Sequence, residues 1–401
     1  EIATGFKQKL LLGLLEEYKR SPEAGAGRQA LGTYLAQTDL ETLPVAVRRR
    51  LVELLAAERL YEKAYRMVQT DGYDYLESGA RVALCSYAIT EGGFEEDDFL
   101  LGFAADTFAQ GKYNDVMLIY LCKYYNAATK RMEELWQVAG EFQIDTFDLE
   151  ERILTQMLYT TEYTPYIEQI YDSYYAGGGR ETLCLAYLSY FADGYLRQDV
   201  VVPGHVFVQI RQRWLEKKEL NDACRLALLK HFAEWGSLTE TQLAVADGLL
   251  AEYVTKNICF AFYRKLDPRL VEKYHLYDRF FIEHHAGPGR HIRISYRMEE
   301  EAYRTQRMTE MYPGIYVKEL LLFFGETVQY YISEEQDEEA AVIESGCISN
   351  SEVTVQEQKG RYAWLNEMLL AGTLGDMEKL EPLMHRYERT DRLTELLFRR
   401  L

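Results

Sequence analysis

Long apolar runs and paired cysteines are both missing from this chain of 401 residues. The most strongly hydrophobic run, residues 320–324, has five members, whereas a membrane-spanning helix needs about 20. The six cysteines form no Cys-x-x-Cys pair, so the common zinc and redox motifs are absent. We therefore expect neither a membrane span nor a cysteine-based metal site.

An excess of positive charge is also missing. The chain carries 64 acidic and 45 basic residues, a net charge of −19. A nucleic-acid backbone would be repelled by that field, so we expect no nucleic-acid partner. The contents of 48% hydrophobic and 27% charged residues are close to the globular average, which excludes a disordered, collagen-like or disulfide-stapled chain.

The compartment is predicted from the cysteines. Five of the six lie in apolar helical stretches, where a free thiol acts as a small hydrophobic group in a reducing environment. A cytoplasmic protein is therefore favoured, and a cell-surface location is the alternative. The sequence starts at Glu1 rather than Met, so its start says nothing about a signal peptide.

Residues 1–265 have a helical pattern, with apolar residues at three- and four-residue spacing. Similar stripes start at Tyr61, Tyr113, Tyr163 and Leu220, which are 52, 50 and 57 residues apart. That spacing accommodates three short helices per unit, and units that cannot bury their own stripes must stack. We predict an irregular α-helical solenoid, with an ordinary helical bundle as the alternative.

Two of the turns resemble tetratricopeptide repeats. Residues 109–113, Ala-Gln-Gly-Lys-Tyr, and residues 60–65, Leu-Tyr-Glu-Lys-Ala-Tyr, have the small-residue and tyrosine placement of that family. The strict 34-residue period is absent. The resemblance implies stacked helices and protein binding, and it locates no peptide groove.

The pattern changes to a period of two in residues 279–332, and residues 291–298 alternate strictly between polar and apolar. Residues 280–296 predict a hairpin whose loop is residues 286–290. Its expected cross-strand pairs are Phe280 with Tyr296, Ile282 with Ile294, Glu283 with Arg293, and His285 with His291.

A second hairpin is predicted over residues 320–332, with Gly325 and Glu326 as its turn, Phe323 opposite Val328 and Leu321 opposite Tyr330. Further strands are expected at residues 340–343 and 353–356. At least six short strands favour an antiparallel Ig-like β-sandwich over residues 266–358. Residues 361–370 and 377–387 return to a helical pattern, which gives a C-terminal helical pair within residues 359–401 and an α+β fold overall.

Residues 311–320, residues 323–332 and residues 361–369 resemble the C-terminal signature of a large uncharacterised bacterial family, a domain of unknown function. The resemblance extends into the helical region before them. It implies a piece of a longer protein, and it brings no activity or catalytic residues.

Four of the seven histidines, His275, His284, His285 and His291, lie in or near the first predicted hairpin. His285, His291 and Glu283 could form a metal site in the predicted register, but Arg293 and Arg297 would share that face and oppose a cation. A solvated polar face is the favoured interpretation. No Gly-x-Ser-x-Gly or His-Glu-x-x-His motif occurs, so we predict no catalytic residue, no metal and no cofactor.

Tyrosine is unusually common, with 32 tyrosines against 17 phenylalanines. Tyr124 and Tyr125, and likewise Tyr174 and Tyr175, lie 11 and 12 residues after their stripe starts. Stacked units would place these pairs near one face, where tyrosines make good contacts for a protein or a sugar. The alternative is that they are structural residues at the edge of the core.

The sequence thus predicts a non-enzymatic scaffold that binds another protein, with Tyr124, Tyr125, Tyr174 and Tyr175 as binding residues. The alternative is a glycan-binding protein or carbohydrate-active enzyme that uses the β-sandwich and the tyrosines. A glycosidase would need two carboxylates about 5–10 Å apart in a deep cleft.

Overall fold

The computed structural model describes residue 9 and residues 11–13, 31–35, 40, 42–93, 98–160, 165–197, 202–277, 279–298, 301–322, 325–336, 339–350 and 363–388. The chain divides into two compact units, residues 1–184 and residues 185–401. The domain boundaries predicted at residues 265/266 and 358/359 stay predictions.

The first unit is helical in its described part. Its helices are α1 (Val45–Ala57), α2 (Tyr61–Asp71), α3 (Ser78–Thr90), α4 (Asp98–Ala109), α5 (Asp115–Tyr124), α6 (Thr129–Glu141), α7 (Phe147–Thr160), α8 (Ile167–Ala176) and the start of α9 (Glu181–Arg197). The predicted apolar stripes account for their burial, because Ala64, Tyr65, Met117 and Ile170 have no exposed surface. The helical prediction for this region is confirmed.

The second unit continues α9 and adds α10 (Gly204–Leu215), α11 (Asp222–Trp235), α12 (Glu240–Thr255), a 3₁₀-helix (Ala261–Lys265) and α13 (Pro268–Lys273). None of the described helices is both long and apolar enough to span a bilayer.

One helix start recurs in the two units. Asn114 caps α5 by accepting a hydrogen bond from the Met117 N–H at 3.1 Å, and its amide donates to Ser86 Oγ at 2.7 Å. Asn221 caps α11 through the Cys224 N–H at 3.0 Å and donates to Ser189 Oγ at 2.7 Å. Each asparagine therefore satisfies an unpaired helix N–H and ties its helix to an earlier one.

Seven strands follow: β1 (Arg279–His285), β2 (Ile292–Met298), β3 (Arg304–Arg307), β4 (Thr309–Tyr312), β5 (Ile315–Leu321), β6 (Thr327–Gln336) and β7 (Glu339–Ser349). They form two antiparallel sheets. Sheet A has the order β1-β5-β4, and sheet B has the order β3-β2-β6-β7. The antiparallel strand region predicted from the two-residue period is confirmed.

Both predicted hairpins are wrong. β1 pairs with β5, so Ile282 lies opposite Lys318 rather than Ile294, and Glu283 lies opposite Val317 rather than Arg293. β2 pairs with β3 and β6, which places Met298 opposite Val328. The second predicted hairpin fails in the same way, because β5 and β6 lie in different sheets.

The physical reason is that these apolar faces pack against another layer and not only along a neighbouring strand. Phe280 and Ile282 of sheet A share one hydrophobic core with Ile292 and Ile294 of sheet B. The loop 286–291 therefore crosses between layers instead of turning within one. It is held by the Ala286 N–H, which donates to Gly314 O at 2.9 Å, and by the Tyr316 hydroxyl, which donates to Gly287 O at 3.0 Å.

The last described residues form two helices, α14 (Ala363–Leu374) and α15 (Met377–Glu388), which confirms the predicted C-terminal pair. Asp376 starts α15 by accepting from the Lys379 N–H at 3.2 Å. The strand predicted at residues 340–343 lies within β7, and the strand predicted at residues 353–356 lies outside the described residues.

Candidate functional site

The four tyrosines predicted as contact residues differ in their exposure. Tyr174 has no exposed surface, while Tyr124, Tyr125 and Tyr175 are half-buried. The Tyr174 hydroxyl donates to Glu151 Oε2 at 2.7 Å and accepts from the Arg180 N–H at 3.0 Å. Tyr174 is therefore a core residue, with its hydroxyl bonded to the half-buried Glu151 and to the backbone of the exposed Arg180, and its role as a contact residue stays a prediction.

Tyr124 and Tyr125 end α5, and Tyr175 lies near the end of α8. The Tyr124 ring lies 5.0 Å from that of Tyr120, and the Tyr175 ring stacks on Tyr171 at 6.1 Å. Arg152 donates to the backbone carbonyl of Tyr125 at 3.1 Å. Each of these tyrosines has at least one structural contact and some accessible surface.

The histidines do not come together. His284 and His285 point to opposite faces of β1, His291 lies outside β2, and His275 has φ of 54° just after α13. His285 bonds to Glu283, at 2.8 Å between Nε2 and Oε1. Among the residues that the structure describes, no group of three or more His, Cys, Asp or Glu side chains is placed to hold a metal ion.

The β7 edge, defined as residues 342–349, is an accessible strand surface of sheet B. Among the described strands, β7 is the last one of that sheet, and it pairs with β6 along its length. It has eleven residues and contains neither lysine nor proline, the two residues that most often protect edge strands. Val342 is 62% exposed and Ile343 is 48% exposed. A partner strand could therefore reach this edge and bury apolar surface there.

The pairing of β7 with β6 shifts at one point. Ile332 lies opposite Glu344 and Ser333 lies opposite Val342, so Ile343 is the extra residue of a bulge. On the C-terminal side of the bulge the pairing register is regular through Ser349. Six residues, 344–349, thus offer an uninterrupted strand edge, which is the length of an ordinary β-strand at about 5–6 residues.

Polar side chains hold β7 to both sheets. Glu344 Oε2 lies 3.0 Å from Nδ1 of the buried His284, which links β7 to sheet A. The Asn350 amide donates to Leu322 O at 3.0 Å, and the hydroxyls of Thr327 and Ser349 are hydrogen-bonded to each other at 2.7 Å. These contacts fix the strand, so its outer edge is pre-organised for a partner.

Gly346 has a packing role in β7. A Cβ at this position would lie 2.5 Å from the Tyr330 hydroxyl oxygen and 2.6 Å from its Cζ. The missing side chain lets the half-buried Tyr330 ring of β6 cover the strand.

Cys347 is the one exposed cysteine of the six, all of which are described. Burial raises the pKa of Cys85, Cys122 and Cys259 to about 12 and that of Cys224 to about 11. A thiol that is both buried and protonated reacts slowly, because the thiolate is the nucleophile. The β7 edge therefore carries the accessible thiol of the chain.

We expect one thiol to react with iodoacetamide in the folded protein and six in denaturant. Mass spectrometry of the alkylated peptides checks the site, and C347S should remove the fast reaction. Rapid native labelling of a second cysteine would contradict the burial described here.

A second group of polar residues connects α9 and α11 with the outer face of sheet A. Lys230 of α11 donates to the carbonyls of Tyr195 at 2.8 Å and Leu196 at 3.2 Å. Glu283 of β1 accepts from the Ala261 N–H at 3.0 Å and bonds to His285. This group is defined as the Glu283 network.

The pKa shifts in the Glu283 network follow from its geometry. Burial opposes the charge of Glu283, but the hydrogen bonds from His285 and Ala261 N–H and the charges of His285 and Lys230 outweigh it, so its pKa is lowered. The hydrogen bond to Glu283 raises the pKa of His285. Burial lowers the pKa of Lys230. A buried carboxylate paired with cations stabilises a junction and lacks the raised pKa of a general acid.

Sequence reasoning missed the β7 edge. It found residues 340–343 as a strand, but the edge position depends on strand order, which alternation does not reveal. The sequence signal that could have indicated an unprotected edge strand was the uncharged run of residues 345–351 after Glu344, which contains neither lysine nor proline.

Comparison with known proteins is consistent with the resemblance of the C-terminal residues. The model of a family of unknown function, DUF5717 C-terminal, matches residues 97–398, and the model of its N-terminal part matches residues 1–95. Neither the curated proteins nor the solved structures contain a match to this chain.

Proposed function

We propose that this chain, which belongs to the DUF5717 family of unknown function, is a non-enzymatic scaffold that binds another protein by strand addition at the β7 edge. The observation that carries the proposal is an eleven-residue edge strand that exposes Val342 and Ile343 and lacks lysine and proline. In strand addition, main-chain hydrogen bonds supply affinity and alternate side chains supply specificity.

The partner strand is expected to be uncharged and rich in β-branched residues. The exposed side chains of the β7 edge are apolar or small, namely Val342, Ile343, Ser345, Cys347 and Ser349. Glu344 is already bonded to His284. A second copy of the chain is a poorer partner, because it brings the same net charge of −19.

The strand order supports the Ig-like part of the proposal. If β1–β7 are named B, C, C′, D, E, F and G, sheet A reads B-E-D and sheet B reads C′-C-F-G, which is the Ig-type division of strands. The described strands include no counterpart of strand A. In this interpretation β7 is strand G, the outer strand of its sheet.

The helical contacts of the first unit support a repeat arrangement. Helices α1, α3, α5 and α7 each contact the next in that series, and each also contacts its sequence neighbour. Nearest-neighbour stacking is the mark of solenoids, including the tetratricopeptide type. We infer a helical repeat scaffold on which Tyr124, Tyr125 and Tyr175 form a second contact surface. The buried thiols favour a reducing compartment.

The test is capture from a lysate of the native host with a photo-crosslinker attached at Cys347. V342K places a charge on the β7 edge, where it should block strand addition and lower recovery of the partner about tenfold or more. L215K is the matched control, because Leu215 is 54% exposed and lies on α10. Equal recovery with V342K and L215K would refute the proposal.

Two further outcomes distinguish a second copy of the chain from another protein, and the β7 edge from the helical surface. If V342K abolishes a concentration-dependent dimer in analytical ultracentrifugation, the occupant is a second copy and not another protein. If recovery falls when Tyr124, Tyr125 and Tyr175 are replaced and is unchanged in V342K, the helical surface binds the partner instead.

The glycan-binding alternative has less support. Tyr174 is buried, which removes one of its four tyrosines. Two acids, Glu301 and Glu319, line a cleft beside β5. Each lies beside an arginine, Glu301 at 3.5 Å from Arg304 and Glu319 at 2.6 Å from Arg279. Each of these carboxylates is therefore already engaged in an ion pair, whereas a glycosidase needs two carboxylates that face its substrate.

A further inference from the structure

A cleft of about 310 Å³ opens between the two sheets, on the side away from β7. Its volume is at the lower end of the range for small-molecule sites, about 300–1,000 Å³. Its walls come from β2, β3 and β5 and include Tyr296, Arg297, Arg304, Gln306, Lys318 and Leu320.

The cleft exists because the chain leaves one sheet for the other at Met308. The Met308 N–H donates to Ile292 O at 3.0 Å in sheet B, and β4 begins in sheet A at the next residue. β4 then pairs with Ile315–Val317 of β5. Residues 318–321 of β5 extend past it, and their edge lines the cleft.

Lys318 occupies an unusual position in this cleft. It lies opposite Ile282 in the β1–β5 pairing, and its neighbours on that face, Tyr316 and Leu320, belong to the hydrophobic core. A half-buried ammonium among core residues is costly unless it is paired. Such a polar residue at a core position more often has a function than a role in folding.

The partners of Lys318 are uncharged. Its ammonium donates to Gln306 Oε1 at 2.5 Å, and it lies 5.6 Å from the centroid of the Tyr296 ring. No carboxylate of the described residues is within ion-pair distance of it, and Glu319 pairs instead with Arg279. Burial lowers the pKa of Lys318, and a bound anion would oppose that shift.

The described residues that line the cleft carry a formal net charge of +1. Arg297, Arg304 and Lys318 supply three positive charges, and Glu301 and Glu319 supply two negative charges. This balance suits a monoanion better than a phosphate dianion. Tyr296 and Leu320 offer apolar contact surface beside the ammonium.

We propose that this cleft binds a small monocarboxylate that carries an apolar group. The carboxylate accepts from the Lys318 ammonium on the side toward Arg304, and the apolar group packs on Tyr296 and Leu320. The site is separate from the β7 edge, so it does not depend on the proposed scaffold function.

The test is a titration of the full chain followed by NMR chemical shifts, with 4-phenylbutyrate as the probe. The matched neutral probe is 4-phenylbutyramide, which keeps the shape and removes the charge. We expect the carboxylate to shift the resonances of residues 318–321 and the amide to bind about tenfold or more weakly. Equal binding of the two probes, or no shift at these residues at about 10 mM carboxylate, would overturn the proposal.

K318M should weaken 4-phenylbutyrate binding about tenfold or more. R307M is the control, since Arg307 lies on β3 next to Gln306 but is not part of the cleft lining. Tighter binding of inorganic phosphate than of the carboxylate would also overturn the assignment. Acetyl-Val-Asp-Val-amide presents a carboxylate from a peptide. Tighter binding of this peptide would identify an acidic peptide as the source of the ligand, and tighter binding of 4-phenylbutyrate would identify a free small molecule.

Thermal unfolding provides an independent readout. Without ligand, K318M should unfold at a higher temperature than the unmodified chain, because an apolar side chain of similar length replaces a half-buried charge. A lower unfolding temperature would mean that Lys318 supports the fold, and the binding proposal would then be wrong.

Discussion

Replacement of Glu283 by alanine is expected to lower the free energy of unfolding by about 3 kcal/mol. The carboxylate accepts from the Ala261 N–H and bonds to His285, and with Glu234 it is an acidic neighbour of the half-buried Lys230. Its removal leaves a backbone donor unsatisfied and weakens the compensation of two cations. Urea denaturation of E283A against the unmodified chain measures the effect.

E283Q separates charge from hydrogen bonding. Glutamine can still accept from the Ala261 N–H but cannot compensate Lys230 and His285, so we expect a loss between zero and that of E283A. E240Q is the control, because Glu240 is 86% exposed in its pair with Arg269, and it should change stability by about 0.5 kcal/mol or less. A loss from E240Q as large as that from E283A would show that burial is not the cause.

The pH dependence of the E283Q effect has a defined sign. The lowered pKa of Glu283 stabilises the fold above its ordinary value of 4.5, and this contribution disappears as the pH falls through the lowered pKa. The raised pKa of His285 stabilises the fold below 6.5, and this contribution disappears as the pH rises through the raised pKa. The difference in the free energy of unfolding between E283Q and the unmodified chain should therefore be largest between pH 4.5 and pH 6.5. A difference that grows from about pH 6 to about pH 9 would contradict this assignment.

Side-chain period was enough to predict the strand that became β2 and which of its faces is buried. Ile292 and Ile294 were predicted as the apolar face of a strand, and both have no exposed surface in β2. The same pattern could not reveal the partner of that strand, because alternation defines a face and not a neighbour. The two predicted hairpins failed on this point alone.

The candidate sites depend on strand order and were therefore not predictable. Lys318 reads as one polar residue of an alternating strand, and its place on the core face follows from its pairing with Ile282 of β1. The β7 edge follows from the order β3-β2-β6-β7. By contrast, Tyr124 and Tyr174 could be found by spacing, but spacing could not tell that Tyr174 is buried.

Gly314 is a position where a single methyl group is expected to cause both backbone strain and steric overlap. Its φ is +82°, a conformation that side chains other than glycine rarely adopt, and an added Cβ would lie 2.6 Å from the backbone oxygen of Ala286. That oxygen belongs to the loop 286–291, which crosses between the sheets. We expect G314A to lower the free energy of unfolding by about 3 kcal/mol or more, the sum of backbone strain and steric overlap.

Gly289 is the matched control for this experiment. Its φ is +71°, and an added Cβ would meet nothing within 4 Å. G289A should therefore show the backbone strain alone, about 1–2 kcal/mol. The difference between the two variants in urea denaturation measures how closely the crossing loop approaches the β4–β5 turn. Equal losses would mean that Ala286 can move away freely, and the loop would then not be held by Gly314.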